Sequence, residues 1–119
     1  MFTLWGNNNR DMTILNLDKD FAPMGAGVNY QAFSFPSGCE PHIKIAKLPE
    51  NEATITCRIK SCEDIIMLML AADALRRSGA TKLNCIMPYV PFARQDRQMV
   101  SGEPLSIKVF ANLINSIGF

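Results

Sequence analysis

An α/β fold with a parallel sheet is the class this sequence predicts, and three observations carry it. Residues 53–59 (ATITCRI) read as a strand, and residues 82–87 (KLNCIM) as a second, short and apolar, stopped by Pro88. Between them lies a segment with Glu63 and Asp64 at its start, Arg76 and Arg77 at its end and Gly79 just beyond, the charge order that suits a helix dipole and its terminating residue. Strand, helix and strand in that order make a βαβ unit with parallel pairing. A chain of 119 residues, 48% of them hydrophobic, is long and apolar enough to bury one core without metal or disulfide staples.

The remaining elements follow the same periodicities. Residues 12–17 (MTILNL) and 29–35 (NYQAFSF) read as strands, separated by a loop containing Pro23, Gly25 and Gly27. In residues 42–48 (HIKIAKL) Ile43 and Ile45 share one face and Lys44 the other, which predicts a half-buried strand. Residues 65–72 of the central helix are apolar all round, which predicts deep burial against a sheet, with Met67 and Met69 filling core. The last helix is expected to start at Pro104, a residue suited to a first helical turn. Leu105, Val109 and Leu113 form one stripe on it, Ile107, Phe110, Ile114 and Ile117 an adjoining one, and Gly118 falls near its end.

Composition excludes several classes. A formal net charge of +1 gives no electrostatic footprint for nucleic acid or an anionic membrane surface. Residues 1–10 (MFTLWGNNNR) lack the pattern of a secretory signal, and the longest apolar run is too short to span a bilayer, so the expected location is cytoplasmic. Cys39, Cys57, Cys62 and Cys85 form no C-x-x-C pair, and His42 is not spaced to complete a zinc set; buried thiols are the expectation. There is no G-x-x-x-x-G-K-[ST] loop and no G-x-G-x-x-G, which argues against a P-loop or dinucleotide site.

Chemistry concentrates in residues 88–97 (PYVPFARQDR), the loop that leaves the second strand of the βαβ unit. Ligands of parallel sheets sit at the carboxyl ends of strands. Arg94 and Arg97 offer flat cations for stacking and forks for phosphate oxygens, and Gln95 offers a donor and an acceptor for a base edge. The plain alternative is a solvated Arg-Gln-Asp-Arg turn with one weak surface ion pair.

This stretch resembles the ATP loop of ribose-phosphate pyrophosphokinases, in which a Pro-Tyr-Ala-Arg-Gln-Asp core follows an apolar strand. Residues 102–108 (GEPLSIK) are similar to the segment opening that family's next helix, and 111–118 (ANLINSIG) to the run that follows. Residues 35–45 (FPSGCEPHIKI) resemble its Phe-to-Ile hairpin.

The resemblance implies an incomplete phosphoribosyltransferase-like domain, a parallel sheet core flanked by helices with an antiparallel hairpin. It implies that Arg94 stacks on adenine, Gln95 bonds nearby and Arg97 lies along the ATP phosphates. Phe35 would cover the other adenine face, with Ser37, Gly38 and Glu40 reading the base and its surroundings from a neighbouring subunit. The plain readings are core for Phe35, a turn for Ser37 and Gly38, and a solvated charge for Glu40. Cys39 is an extra residue between Gly38 and Glu40, Ser37 stands where the family has Asp or Asn, and residues 98–102 (QMVSG) lack additional basic side chains.

The activity implied is transfer of diphosphate from ATP to ribose 5-phosphate, giving phosphoribosyl diphosphate and AMP, with Mg2+ on the phosphate oxygens, in a homo-oligomer whose ATP site is shared between subunits. Family members continue past the length of this chain into a metal-serving histidine and a second domain. Residues 1–119 are therefore expected to be the N-terminal ATP-site domain, with no catalytic or metal-ligating residue assigned. The alternatives are a non-catalytic homologue that co-assembles with an active synthase, and a nucleotide-sensing α/β module.

Overall fold

A computed structural model describes residues 12–25, 27–36, 40–46, 49 and 51–119. The strands are β1 (Met12–Asn16), β2 (Tyr30–Ser34), β3 (Pro41–Ile45), β4 (Glu52–Thr56) and β5 (Lys82–Ile86), and the helices α1 (Cys62–Arg77) and α2 (Ser106–Ile117). β1, β4 and β5 form a parallel sheet in that order, with Leu15 opposite Ile55 and Ile55 opposite Cys85. β2 and β3 form a separate antiparallel hairpin, with Phe33 opposite His42. Both the βαβ unit and the hairpin stand as expected.

The period of two gives the sheet unlike faces. Leu15, Ala53, Ile55, Cys57 and Leu83 join Leu68, Ala71, Ala72 and Leu75 of α1 in one core, together with Ile43 of the hairpin. The alternate positions, beside Ile14 and Ile86, carry polar side chains with hydrogen-bond partners. Thr56 Oγ1 donates to Asn16 Oδ1 at 2.7 Å, Asn16 Nδ2 donates to the Gly25 carbonyl at 3.0 Å, and Asn84 Nδ2 donates to Glu52 Oε1 at 2.8 Å. A buried hydroxyl or amide is tolerable only with such partners.

α1 begins with a capping box: the Ser61 hydroxyl accepts from Asp64 N–H, and the Asp64 carboxylate accepts from Ser61 N–H. Gly79 (φ +121°) follows its last turn. The expectation of burial all round is corrected. Ile65, Leu68, Ala71, Ala72 and Leu75 make one buried stripe, whereas Ile66 is 45% exposed. The sheet and the hairpin cover only one side of the helix. Met67 and Met69 are partly buried against the core, as expected.

Two further differences are local. Lys19–Met24, expected as loop, is a 3-10 helix whose first turn is capped by Asp18, accepting from Asp20 N–H at 2.9 Å. α2 begins at Ser106, not Pro104, because the Ile107 N–H is taken by the Gln95 carbonyl at 3.2 Å and the first helical acceptor is Leu105, reached by Lys108 and Val109 N–H. On α2 the Phe110 and Ile117 side chains are buried and Ile114 packs against the core, while Val109 is exposed.

Candidate nucleotide-binding site

The three parallel strands end on one side of the sheet, and β5 leads directly into the loop carrying Arg94, Gln95 and Arg97. Two inward attachments hold the loop. The Phe92 ring packs on the buried Phe110 ring of α2, centroids 5.7 Å apart, while Phe92 itself adopts φ +65°, a conformation a bulky residue occupies only when held there. Gln95 N–H donates to the Phe92 carbonyl at 2.8 Å, closing the turn on which Arg94 sits, and the Gln95 carbonyl receives Ile107 N–H. The loop is thereby fixed to the first turn of α2.

Beyond Arg97 the chain closes on Glu103. Its carboxylate accepts from Met99 N–H at 3.1 Å and Val100 N–H at 3.2 Å, and its carbonyl accepts from Gln98 Nε2 at 2.8 Å. Phe92, Phe110 and Glu103 are structural supports that the motif reading did not single out as such. Their signals were an aromatic two residues before Arg94 and an acid just after a Ser-Gly pair.

Arg94, Gln95, Asp96 and Arg97 are all exposed. Among the described residues neither arginine forms an ion pair or side-chain hydrogen bond, so the weak surface ion pair of the plain alternative is absent, although the turn itself is solvated. Two unpaired guanidinium groups on an anchored loop at the carboxyl end of a parallel sheet are suited to hold a planar base and an anionic chain.

The hairpin residues lie apart from this loop. Phe35 is 45% exposed, its ring 5.3 Å from Phe33 and 6.1 Å from His42. It is not a core residue. Phe35 N–H donates to the carbonyl of the exposed Glu40 at 3.0 Å, closing the connection that carries Ser37 and Gly38, which fall outside the described residues. Among the described residues no hydrogen bond, ion pair or ring contact joins Phe35 or Glu40 to Arg94, Gln95 or Arg97 within the chain.

A second cluster stands at the carboxyl ends of β1 and β4. Lys60 pairs with Asp18 at 3.2 Å and Arg58 with Asp20 at 3.3 Å, the Arg58 guanidinium lying over the Phe21 ring. The Asp20 N–H holds the Asp18 carboxyl below its ordinary 3.8, with Lys60 adding to it. These four charges are matched in pairs, unlike Arg94 and Arg97. Among the described residues no group of three or more His, Cys, Asp or Glu side chains could hold a metal ion, and no helix is long and apolar enough to cross a membrane.

The family model describing the N-terminal domain of ribose phosphate pyrophosphokinase matches residues 50–118, which include β4, α1, β5, the arginine loop and α2. The chain belongs to the ribose-phosphate pyrophosphokinase family. It is 45% identical over 56 residues to the ribose-phosphate pyrophosphokinase of Bacillus subtilis (strain 168), a match covering 47% of this chain and 18% of that protein. It is 37% identical over 83 residues to the ribose-phosphate pyrophosphokinase of Methanosarcina mazei, covering 69% of this chain and 27% of that protein. The fold is shared with phosphoribosylpyrophosphate synthetase from Mycobacterium smegmatis, at a TM-score of 0.75 and 20% identity over 92% of this chain and 40% of that one. The matches to these two pyrophosphokinases span about a fifth to a quarter of their lengths.

Proposed function

We propose that this chain is the ATP-side N-terminal domain of a ribose-phosphate pyrophosphokinase, which transfers diphosphate from ATP to ribose 5-phosphate and releases AMP. The single observation that supports this most is the pair of unpaired guanidinium groups, Arg94 and Arg97, on the anchored loop after β5. Arg94 stacks on adenine, Gln95 bonds at the base, and Arg97 neutralises phosphate oxygens. Phe35 covers the other adenine face, with Ser37, Gly38 and Glu40 beside it, supplied by the hairpin of a second copy. Such a transfer depends on positioning and on neutralising developing charge, and Mg2+ supplies part of that neutralisation on the nucleotide's own oxygens.

The test is titration of ATP against the wild type, Arg94→Ala and Arg94→Lys. Loss of stacking and of charge-assisted bonds weakens ATP by about 1–3 kcal/mol, or roughly one to two decades, in Arg94→Ala. Lysine restores little, having neither the plane nor the fork. A solvated turn would instead give changes within about 0.5 kcal/mol for both variants. Unchanged ATP binding in folded Arg94→Ala overturns the assignment.

A further inference from the structure

The candidate site uses neither Cys57 nor Cys85, yet their sulfurs stand 3.8 Å apart. Cys57 is the first residue after β4 and continues its ladder, its N–H donating to the Ile86 carbonyl at 3.0 Å, so it lies opposite Met87. Cys85 is on β5 two residues earlier, and the period of two turns both side chains to the same face as Ile55 and Leu83. The Cys57 thiol is buried and Cys85 is half-buried. The third described cysteine, Cys62, is exposed at the first position of α1.

The pairing is diagonal, and that sets its character. Residues offset by two across neighbouring strands stand about 7–8 Å apart, whereas cysteines joined in a disulfide usually have Cα atoms about 4.4–6.8 Å apart. Closing the bond therefore requires the ends of β4 and β5 to shift towards each other. A disulfide closed at the cost of backbone movement is strained and readily reduced, the behaviour of a responsive bridge and not of a permanent staple. The strand end that must move is the one from which Pro88 and the arginine loop depart.

We propose that Cys57 and Cys85 are a two-electron redox site that closes to a reversible disulfide under a hydroperoxide and shifts the loop that begins at Pro88. The hydrogen bond shared by the sulfurs pushes the Cys57 thiol up, with burial adding to it, and holds Cys85 down. Cys85, the less buried of the two, is the attacking thiolate. Its sulfur takes the terminal oxygen of hydrogen peroxide, forming S–O as O–O breaks, and the leaving hydroxide is protonated to water. The Cys57 sulfur then attacks the sulfenic sulfur; S–S forms, S–O breaks, and the Cys57 proton leaves with the departing oxygen as a second water. Two thiols lose two electrons, and one peroxide is reduced to two waters.

The experiment uses the 119-residue chain as wild type and as the Cys39→Ser, Cys62→Ser variant, treated with hydrogen peroxide, alkylated, and mapped by peptide mass. The expected result is loss of free thiol at 57 and 85, a cross-linked peptide pair lighter by two hydrogens, and recovery of both thiols with dithiothreitol. Hydrogen exchange over residues 86–98 should change on oxidation and revert on reduction. Free thiols at both positions, or over-oxidation without a cross-link, overturns the site; a cross-link that leaves exchange over 86–98 unchanged overturns the coupling. Both readouts are independent of ATP, so they stand apart from the assignment of the arginine loop.

Discussion

Thr56 is a buried hydroxyl whose value lies in one bond. Its relative exposure is 2%, and it donates to Asn16, which in turn holds the Gly25 carbonyl. Thr56→Val keeps the shape and leaves Asn16 Oδ1 without its donor, which is expected to cost about 1–3 kcal/mol in denaturant unfolding. Thr56→Ser keeps the hydroxyl and should lose much less; equal losses in the two would show that the methyl, not the bond, matters. Glu52 behaves differently because its bonds carry charge. The Asn84 amide, and then Lys82, hold its carboxyl below the ordinary 4.5. A carboxyl lowered by folding adds stability that is fully present above pH 4.5 and lost as pH falls through the lower folded value. Glu52→Gln should therefore flatten the acid limb of stability against pH, and an unaltered limb would remove Glu52 as a contributor.

At the scale of elements, α1 is the central support, and its start is defined by side chains. Ser61→Ala removes the hydroxyl that receives Asp64 N–H, and a loss of about 0.5–2 kcal/mol in a chemical melt is expected. This helix was legible in the sequence because local signals agreed: acids first, bases last, Gly79 beyond. The strands were legible from their period of two, and their order followed from the βαβ rule. The start of α2 was not legible, because it is decided by the Gln95 carbonyl, twelve residues upstream of the N–H it receives. Nor could the apolar run at 65–72 reveal that only one side of α1 would be covered, since composition does not say what packs against it. The arginine loop shows both cases. Its position followed from the strand before it, whereas the Phe92–Phe110 contact and the Glu103 closure are pairings that no local pattern displays.

For the whole molecule, the hairpin is the feature the single chain leaves incomplete. Ile43 faces the core, but on the other side of the hairpin Phe33, Phe35 and His42 form an exposed aromatic group, with Phe33 48% exposed and 5.2 Å from His42. No contact described within the chain brings that group to Arg94 or Arg97. If the ATP site is shared, the aromatic group of one copy must meet the arginine loop of another, and association and ATP binding become linked. Sedimentation of the wild type should then show a dimer or larger species that ATP strengthens, and ATP affinity should rise with protein concentration across the association midpoint. Phe33→Ser touches neither guanidinium; it should weaken association and lower ATP affinity only at concentrations where the wild type is assembled. Arg94→Ala should do the reverse, weakening ATP binding by the one to two decades argued above while the unliganded oligomer persists. A wild-type chain that stays monomeric at high concentration and binds ATP with an affinity independent of concentration would rule out the shared site and leave the arginine loop to act within one subunit.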